Sequence, residues 1–106
     1  MFSVLAKPTV RESQETFKVF LGELELRITY DYNDLHDFWT LTVVGVDEND
    51  IEHRSTQRIV PVLKLTNSSP FFRTINIFCS SNETPGTETV RAGNVDLFTF
   101  FIEENR

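Results

Sequence analysis

Asp31, Asn33, Asp34, His36 and Asp37 place five ligand-capable side chains within seven residues. Carboxylate and amide oxygens two or three positions apart are the donors that a hard cation such as calcium takes. The stretch lacks the invariant Gly and the terminal bidentate Glu of an EF-hand loop, and Asp and Asn are also the usual residues of a strand connection. A plain loop is the simpler reading, and no metal or other cofactor is expected. His36 and His53 are the only histidines and Cys79 the only cysteine, so a four-ligand zinc site would need carboxylates to complete it. Pairs such as Ser55 with His53, or Cys79 with a histidine, belong to no nucleophile elbow and no HExxH helix. Four glycines, none of them clustered, make no phosphate loop. No catalytic residue is assigned, and the chain is not expected to be an enzyme.

Residues that offer so little chemistry shift attention to what positions them. A chain of 106 residues fits one domain, 1–106, with residues 1–13 a candidate N-terminal arm. Its net charge of -6 repels a phosphate backbone, and the ten Lys and Arg form no basic stripe, so nucleic acid is not an expected partner. No run approaches the roughly 18 apolar residues that span a bilayer, so no membrane partner is expected. The opening Met1 to Lys7 has no basic n-region and its apolar stretch stops at Lys7, so a signal peptide is not expected. A lone Cys79 excludes an internal disulfide and fits a reducing compartment. The sequons at Asn67 and Asn82 carry no meaning without secretion.

Period-two alternation is the dominant pattern. Leu24, Leu26, Ile28, Tyr30 and Tyr32 alternate with Glu23, Glu25, Arg27, Thr29 and Asp31, the mark of a long strand with one wet face. Phe17, Val19 and Leu21 alternate just before it, and Gly22-Glu23 suits a type II′ hairpin that sets Leu21 against Leu24, Val19 against Leu26 and Phe17 against Ile28. Trp39, Leu41 and Val43 make a third strand and complete a meander. The polar residues 47–58 read as a connection, and Ile59 to Leu65 as a strand that is either at an edge or begins after Pro61. Phe71 to Ser80 gives the next strand, with Ile75, Ile77 and Cys79 on one face. Pro85-Gly86 marks a turn, a short strand is expected to reach Arg91, and Val95 to Glu103 forms the last. Without an amphipathic helix, the fold expected is all-β, a small antiparallel β-sandwich or β-barrel built on the N-terminal meander.

Ten Phe against two Tyr and one Trp exceed what one modest core holds easily, leaving rings for a contact surface. The candidate partner residues are Phe2, Val4 and Leu5 in the arm, Phe71 and Phe72 beside Pro70, and Phe98, Phe100 and Ile102 on one face of the last strand. Core is the plain alternative both for Phe71 and Phe72 and for the last three, and for Phe98 and Phe100 it is the favoured one. The arm also suits docking as an added strand on an exposed edge. A rival reading is a free-standing binding module for a carbohydrate or a cellular protein, with Trp39, Tyr30 and Tyr32 as its platform. Alternation turns all three inward.

The runs Thr16-Phe17-Lys18-Val19-Phe20-Leu21-Gly22, Arg27-Ile28-Thr29-Tyr30-Asp31-Tyr32-Asn33 and Trp39-Thr40-Leu41 resemble the cyanophage-type baseplate plug family of contractile-tailed phages. That family has a polar-Phe-x-Val-x-Leu-Gly hairpin, an Arg-x-x-Tyr-x-x-Asn strand and a Trp-x-Leu strand. The likeness covers residues 14–45. Beyond it, the polar residues 47–58 stand where the family has a short Gly-rich turn and a Gly-bearing aliphatic strand. The resemblance implies a virion structural protein of the tail baseplate, made in the host cytoplasm. It would be oligomeric in the assembly and contact hub, tube or spike proteins, with no catalytic residue to carry over.

Overall fold

The computed structural model describes residues 2–9, 13–66, 69–81 and 89–104. Its strands are β1 (Phe2–Leu5), β2 (Gln14–Leu21), β3 (Leu24–Asn33), β4 (Phe38–Val46), β5 (Glu52–Arg58), β6 (Ile75–Ser81) and β7 (Phe98–Glu104). They form two antiparallel sheets, β2-β3-β4-β5 and β1-β7-β6. The apolar faces of the sheets meet in one core, where the Tyr30 ring stands edge-on to Phe100 at 5.6 Å. The fold is therefore a small β-sandwich and not a barrel. No helix among the described residues is long and apolar enough to cross a membrane.

The meander follows the side-chain pattern residue by residue. Leu21 pairs with Leu24, Val19 with Leu26 and Phe17 with Ile28. Gly22 has φ 65° and Glu23 has a negative φ, as a type II′ turn requires. Leu26, Ile28 and Tyr30 of β3 lie wholly inside, as do Trp39, Leu41 and Val43 of β4. In sheet order, β4 then takes β5 as its outer neighbour, from Thr40 opposite Arg58 to Val46 opposite Glu52.

That last pairing corrects the expectation for residues 47–58, which are a hairpin and not a connection. Asp47 organises the tip: its Oδ1 accepts the N–H groups of Asn49 (2.8 Å) and Ile51 (3.0 Å), the Asx-type turn that Asp favours. The apolar run that follows is no strand. Pro61 cannot donate to a ladder, and Val62 takes φ 72°, a left-handed conformation that a β-branched residue adopts only under constraint. The run instead crosses from one sheet to the other. Ile59 donates to the Trp39 carbonyl (2.9 Å), while Val62 and Leu65 donate to Cys79 and Ile77 (2.8 Å each) and cover the free edge of β6.

Two further segments differ from their pattern. Val95–Leu97 is a turn of 3-10 helix that buries Val95, and β7 begins only at Phe98. Thr89 to Arg91 is not a strand. Pro85-Gly86 and both sequon asparagines, Asn67 and Asn82, lie outside the described residues, as do Met1 and residues 10–12 of the arm.

Candidate functional site

In the acidic loop between β3 and β4, one side-chain oxygen each of Asp31, Asn33 and Asp37 accepts hydrogen bonds from the protein. Asp37, at φ 53°, accepts the Tyr32 hydroxyl (2.8 Å) and the Ala92 N–H (2.9 Å) on the same Oδ1. The Ala92 N–H, then the Tyr32 hydroxyl, hold its carboxyl below the usual carboxylate range, and the same bond raises the Tyr32 phenol. Asn33 Oδ1 caps the His36 N–H (3.1 Å), and Asp31 Oδ1 accepts from Gln14 Nε2 (2.8 Å). The loop therefore ties the meander to the segment before β7. No group of three or more His, Cys, Asp or Glu among the described residues is placed to hold a metal.

His53 Nε2 lies 2.9 Å from Asp47 Oδ2, and its ring stacks face to face on Phe71 with centroids 4.2 Å apart. Asp47 is held below the usual range chiefly by His53 and then by the Ile51 N–H. Cys79 faces the core, where burial pushes its thiol up to about 12. Of the three rings expected to form an aromatic platform, Trp39 and Tyr30 are buried and Tyr32 is half-buried.

The candidate contact surface lies on the outer face of the three-stranded sheet. Val4 is opposite Phe101 in the β1–β7 ladder, and Phe101 is opposite Phe78 in the β6–β7 ladder, so the three make one row across the sheet. Phe2 joins them from the next row, opposite Glu103. The rings of Phe2, Phe78 and Phe101 form a closed triad, with centroids 5.1 Å (Phe2–Phe101), 5.2 Å (Phe78–Phe101) and 6.2 Å (Phe2–Phe78) apart. Phe78 and Phe101 are half-buried, whereas Phe2 is 56 % and Val4 71 % exposed. Next to the rings, the Oδ1 of Asn76 is covered and makes no hydrogen bond. It is an acceptor whose donor the described residues do not supply.

The outer face of the four-stranded sheet is the opposite in character. Thr16, Thr29, Thr42 and Thr56 run in register across all four strands, with hydroxyl contacts of 2.9 Å (Thr16–Thr29) and 3.0 Å (Thr42–Thr56). Lys18, Arg27 and Arg54 hold the neighbouring row, bridged to Glu25 and Glu52. This face is mainly polar and charged, though Phe20 (64 % exposed) stands on it too, whereas the other carries the ring cluster.

Of the partner residues expected from sequence, Phe2 and Val4 are at this surface. Leu5, Phe72, Phe98, Phe100 and Ile102 are buried core and are corrected to that role. Phe71 is half-buried against His53 and Phe72. The alternation of the last strand divides its residues properly, but the inward face is Phe98, Phe100 and Ile102, because these meet Tyr30 and the meander. Phe101 therefore points out. Phe78 and Phe101 went unassigned as contact residues, although Phe78 lies opposite in parity to Ile75, Ile77 and Cys79. That parity was the available signal. The chain matches no protein-family model, no curated protein and no solved structure.

Proposed function

We propose that this chain is a non-catalytic structural protein that works through protein–protein contacts, as a plug-like or hub-associated component of a phage tail baseplate in the virion. The observation that carries the contact reading is the Phe2–Phe78–Phe101 triad on the outer face, with Phe2 and Val4 exposed and the other two rings half-buried. Burying a Phe side chain is worth roughly 1.5–3 kcal/mol, so leaving a cluster of rings at the surface has a cost that a partner's cover removes. The phage reading rests on the motifs of residues 14–45, and the regular three-strand meander that those residues form is compatible with it. Hub, tube or spike proteins are the partners this reading names.

The test is co-expression of the chain with the products of its neighbouring reading frames. The expectation is that tube, tape-measure or spike proteins are encoded nearby, that one of them co-purifies with the chain, and that Phe101→Ser abolishes the complex while the variant stays folded. A chain that ignores those proteins, or a complex indifferent to Phe101→Ser, refutes the reading.

A further inference from the structure

We infer that the groove between β1 and β2 receives an extended segment of another protein, apolar at alternate positions and basic at both ends, which pairs with the free edge of β1 as a fourth strand of its sheet.

The two sheets are unequal, three strands against four. On one side of the sandwich the crossing segment closes the gap, with Val62 and Leu65 bonded to the edge of β6. On the other side β1 and β2 are edges of different sheets with no ladder between them, and a groove of about 340 Å³ opens along them. Its walls include Ser3, Leu5 and Ile102 from one sheet and Phe17, Val19 and Leu21 from the other. Phe17 and Val19 point to the inside of the sandwich, as their pairing with Ile28 and Leu26 requires, yet both are only half-buried. The inward residues Ile28, Tyr30 and Leu41 of β3 and β4 are wholly covered. A fourth strand beside β1 would lie over Phe17 and Val19, because packed sheets face each other about 10 Å apart.

The chemistry of the groove selects what fills it. The edge of β1 presents backbone N–H and C=O groups, and no strand among the described residues lies beyond it. An aliphatic chain would cover Phe17 and Val19 but leave those groups without partners, whereas an extended peptide meets both needs at once. The strand β1 reads Phe-Ser-Val-Leu, with no charge and no proline to resist such pairing. Alternate side chains of the peptide then turn inward at the two-residue spacing that separates Phe17 from Val19.

Charge selects whose strand it is. Glu15 precedes Phe17 at one end of the groove, and Glu23 follows Leu21 in the turn at the other. Glu15 Oε1 accepts the N–H (2.7 Å) and the hydroxyl (2.6 Å) of Thr9, both of them neutral donors. Lys18 beside the groove and Lys7 after β1 are already bridged, to Glu25 (3.1 Å) and Asp96 (3.9 Å). Both ends of the groove therefore favour a cationic residue on the incoming segment. The net charge of -6 likewise draws a basic carrier and repels a second copy of the same chain.

The test titrates a labelled synthetic peptide, Lys-Thr-Val-Thr-Val-Thr-Lys, against the full chain and follows fluorescence anisotropy. Two comparison peptides replace both Lys with Glu, or set the two Val side by side. The expectation is that the first peptide binds roughly tenfold or more tighter than either comparison, that Phe17→Ser and Val19→Ser each weaken it roughly tenfold, and that Phe101→Ser leaves it unchanged. Amide hydrogen exchange on the parent chain should slow in β1 and not in β5 when the peptide is added, and this reading decides the outcome where a variant fails to fold. The inference is overturned if the first peptide does not bind, if the comparison peptides bind equally well, if exchange in β1 is unchanged, or if palmitate displaces the peptide. A groove closed by a second copy, seen as a dimer in sedimentation that excludes the peptide, overturns it too. Its decisive variants lie in the groove, whereas Phe101→Ser tests the tail reading, so the two can fail separately.

Discussion

Phe100 and Phe101 are adjacent in β7 and should behave as residues of different kinds. Phe100 has no exposed surface, stands edge-on to Tyr30, and lies across the ladders from Leu5 and Cys79, which also face the core. Truncating such a ring leaves a cavity as well as a lost transfer term, so Phe100→Ala should cost about 3–5 kcal/mol. Phe101 touches the Phe2 and Phe78 rings on the outer face. Each of these two ring pairs is worth about 0.5–1.5 kcal/mol and water already reaches the site, so Phe101→Ala should cost roughly 1–3 kcal/mol. Urea unfolding of both variants with the slope held fixed measures the difference directly. In a domain of this size Phe100→Ala should lower the melting temperature by more than about 12 °C, a large part of the ordinary stability margin. Partner binding should fail in Phe101→Ala and persist in whatever fraction of Phe100→Ala remains folded. Equal costs, or a larger one for Phe101, would refute the assignment of faces and with it the contact surface.

Other expectations follow from single positions. Val62→Asn should stabilise the fold by about 1 kcal/mol in the same urea assay, because Asn tolerates the left-handed φ of 72° and Val62, 68 % exposed, gives up little burial. Gly45→Ala should destabilise by about 1–3 kcal/mol, since a Cβ there would meet Phe71 at 2.8 Å, Leu26 at 3.2 Å and Phe72 at 3.3 Å, and the Phe71 ring would have to leave its stack on His53. Asp37 and Asp47 bind a proton less readily folded than unfolded, so their contribution is present above the ordinary carboxylate value of 3.8 and is lost as pH falls through the lower folded values. Melting temperature should drop along that acid limb, and the drop should be shallower in Asp47→Asn. Cys79 should resist thiol reagents at pH 8 until the chain unfolds, because burial keeps it protonated.

The sequence disclosed its structure where a buried face alternates with a wet one. In β2, β3 and β4 a slip of one residue would turn Leu26, Ile28, Tyr30, Trp39 and Leu41 to solvent, so the hydrophobic pattern sets register as well as strand identity. The strand β5 was opaque for the converse reason. Its inward positions are His53, Ser55 and Gln57, and its place comes from the ladder to β4 and the Asp47 turn, neither of which leaves an apolar signal. Residues 59–65 misled in the other direction. Their apolar side chains are genuinely used, with Ile59 and Leu65 buried, but Pro61 and the left-handed Val62 break the ladder geometry, so burial arrives without a strand.

The apolar patch on the outer face was half legible for a related physical reason. Composition shows that rings are in excess but not which rings, because a strand apolar on both faces satisfies either orientation until its neighbour is known. In β7 the neighbour is Tyr30: it packs edge-on against Phe100, and its hydroxyl donates to the Ala6 carbonyl just after β1. That one side chain fixes which face of β7 is inward and anchors the chain beside the strand that carries Phe2 and Val4. Once Phe98, Phe100 and Ile102 are committed inward, parity forces Phe101 outward, and the ladders bring Val4 and Phe78 to it. The exposed patch is therefore a consequence of how the core is closed. A substitution that reverses the inward face of β7 would remove the patch and expose the core in the same step.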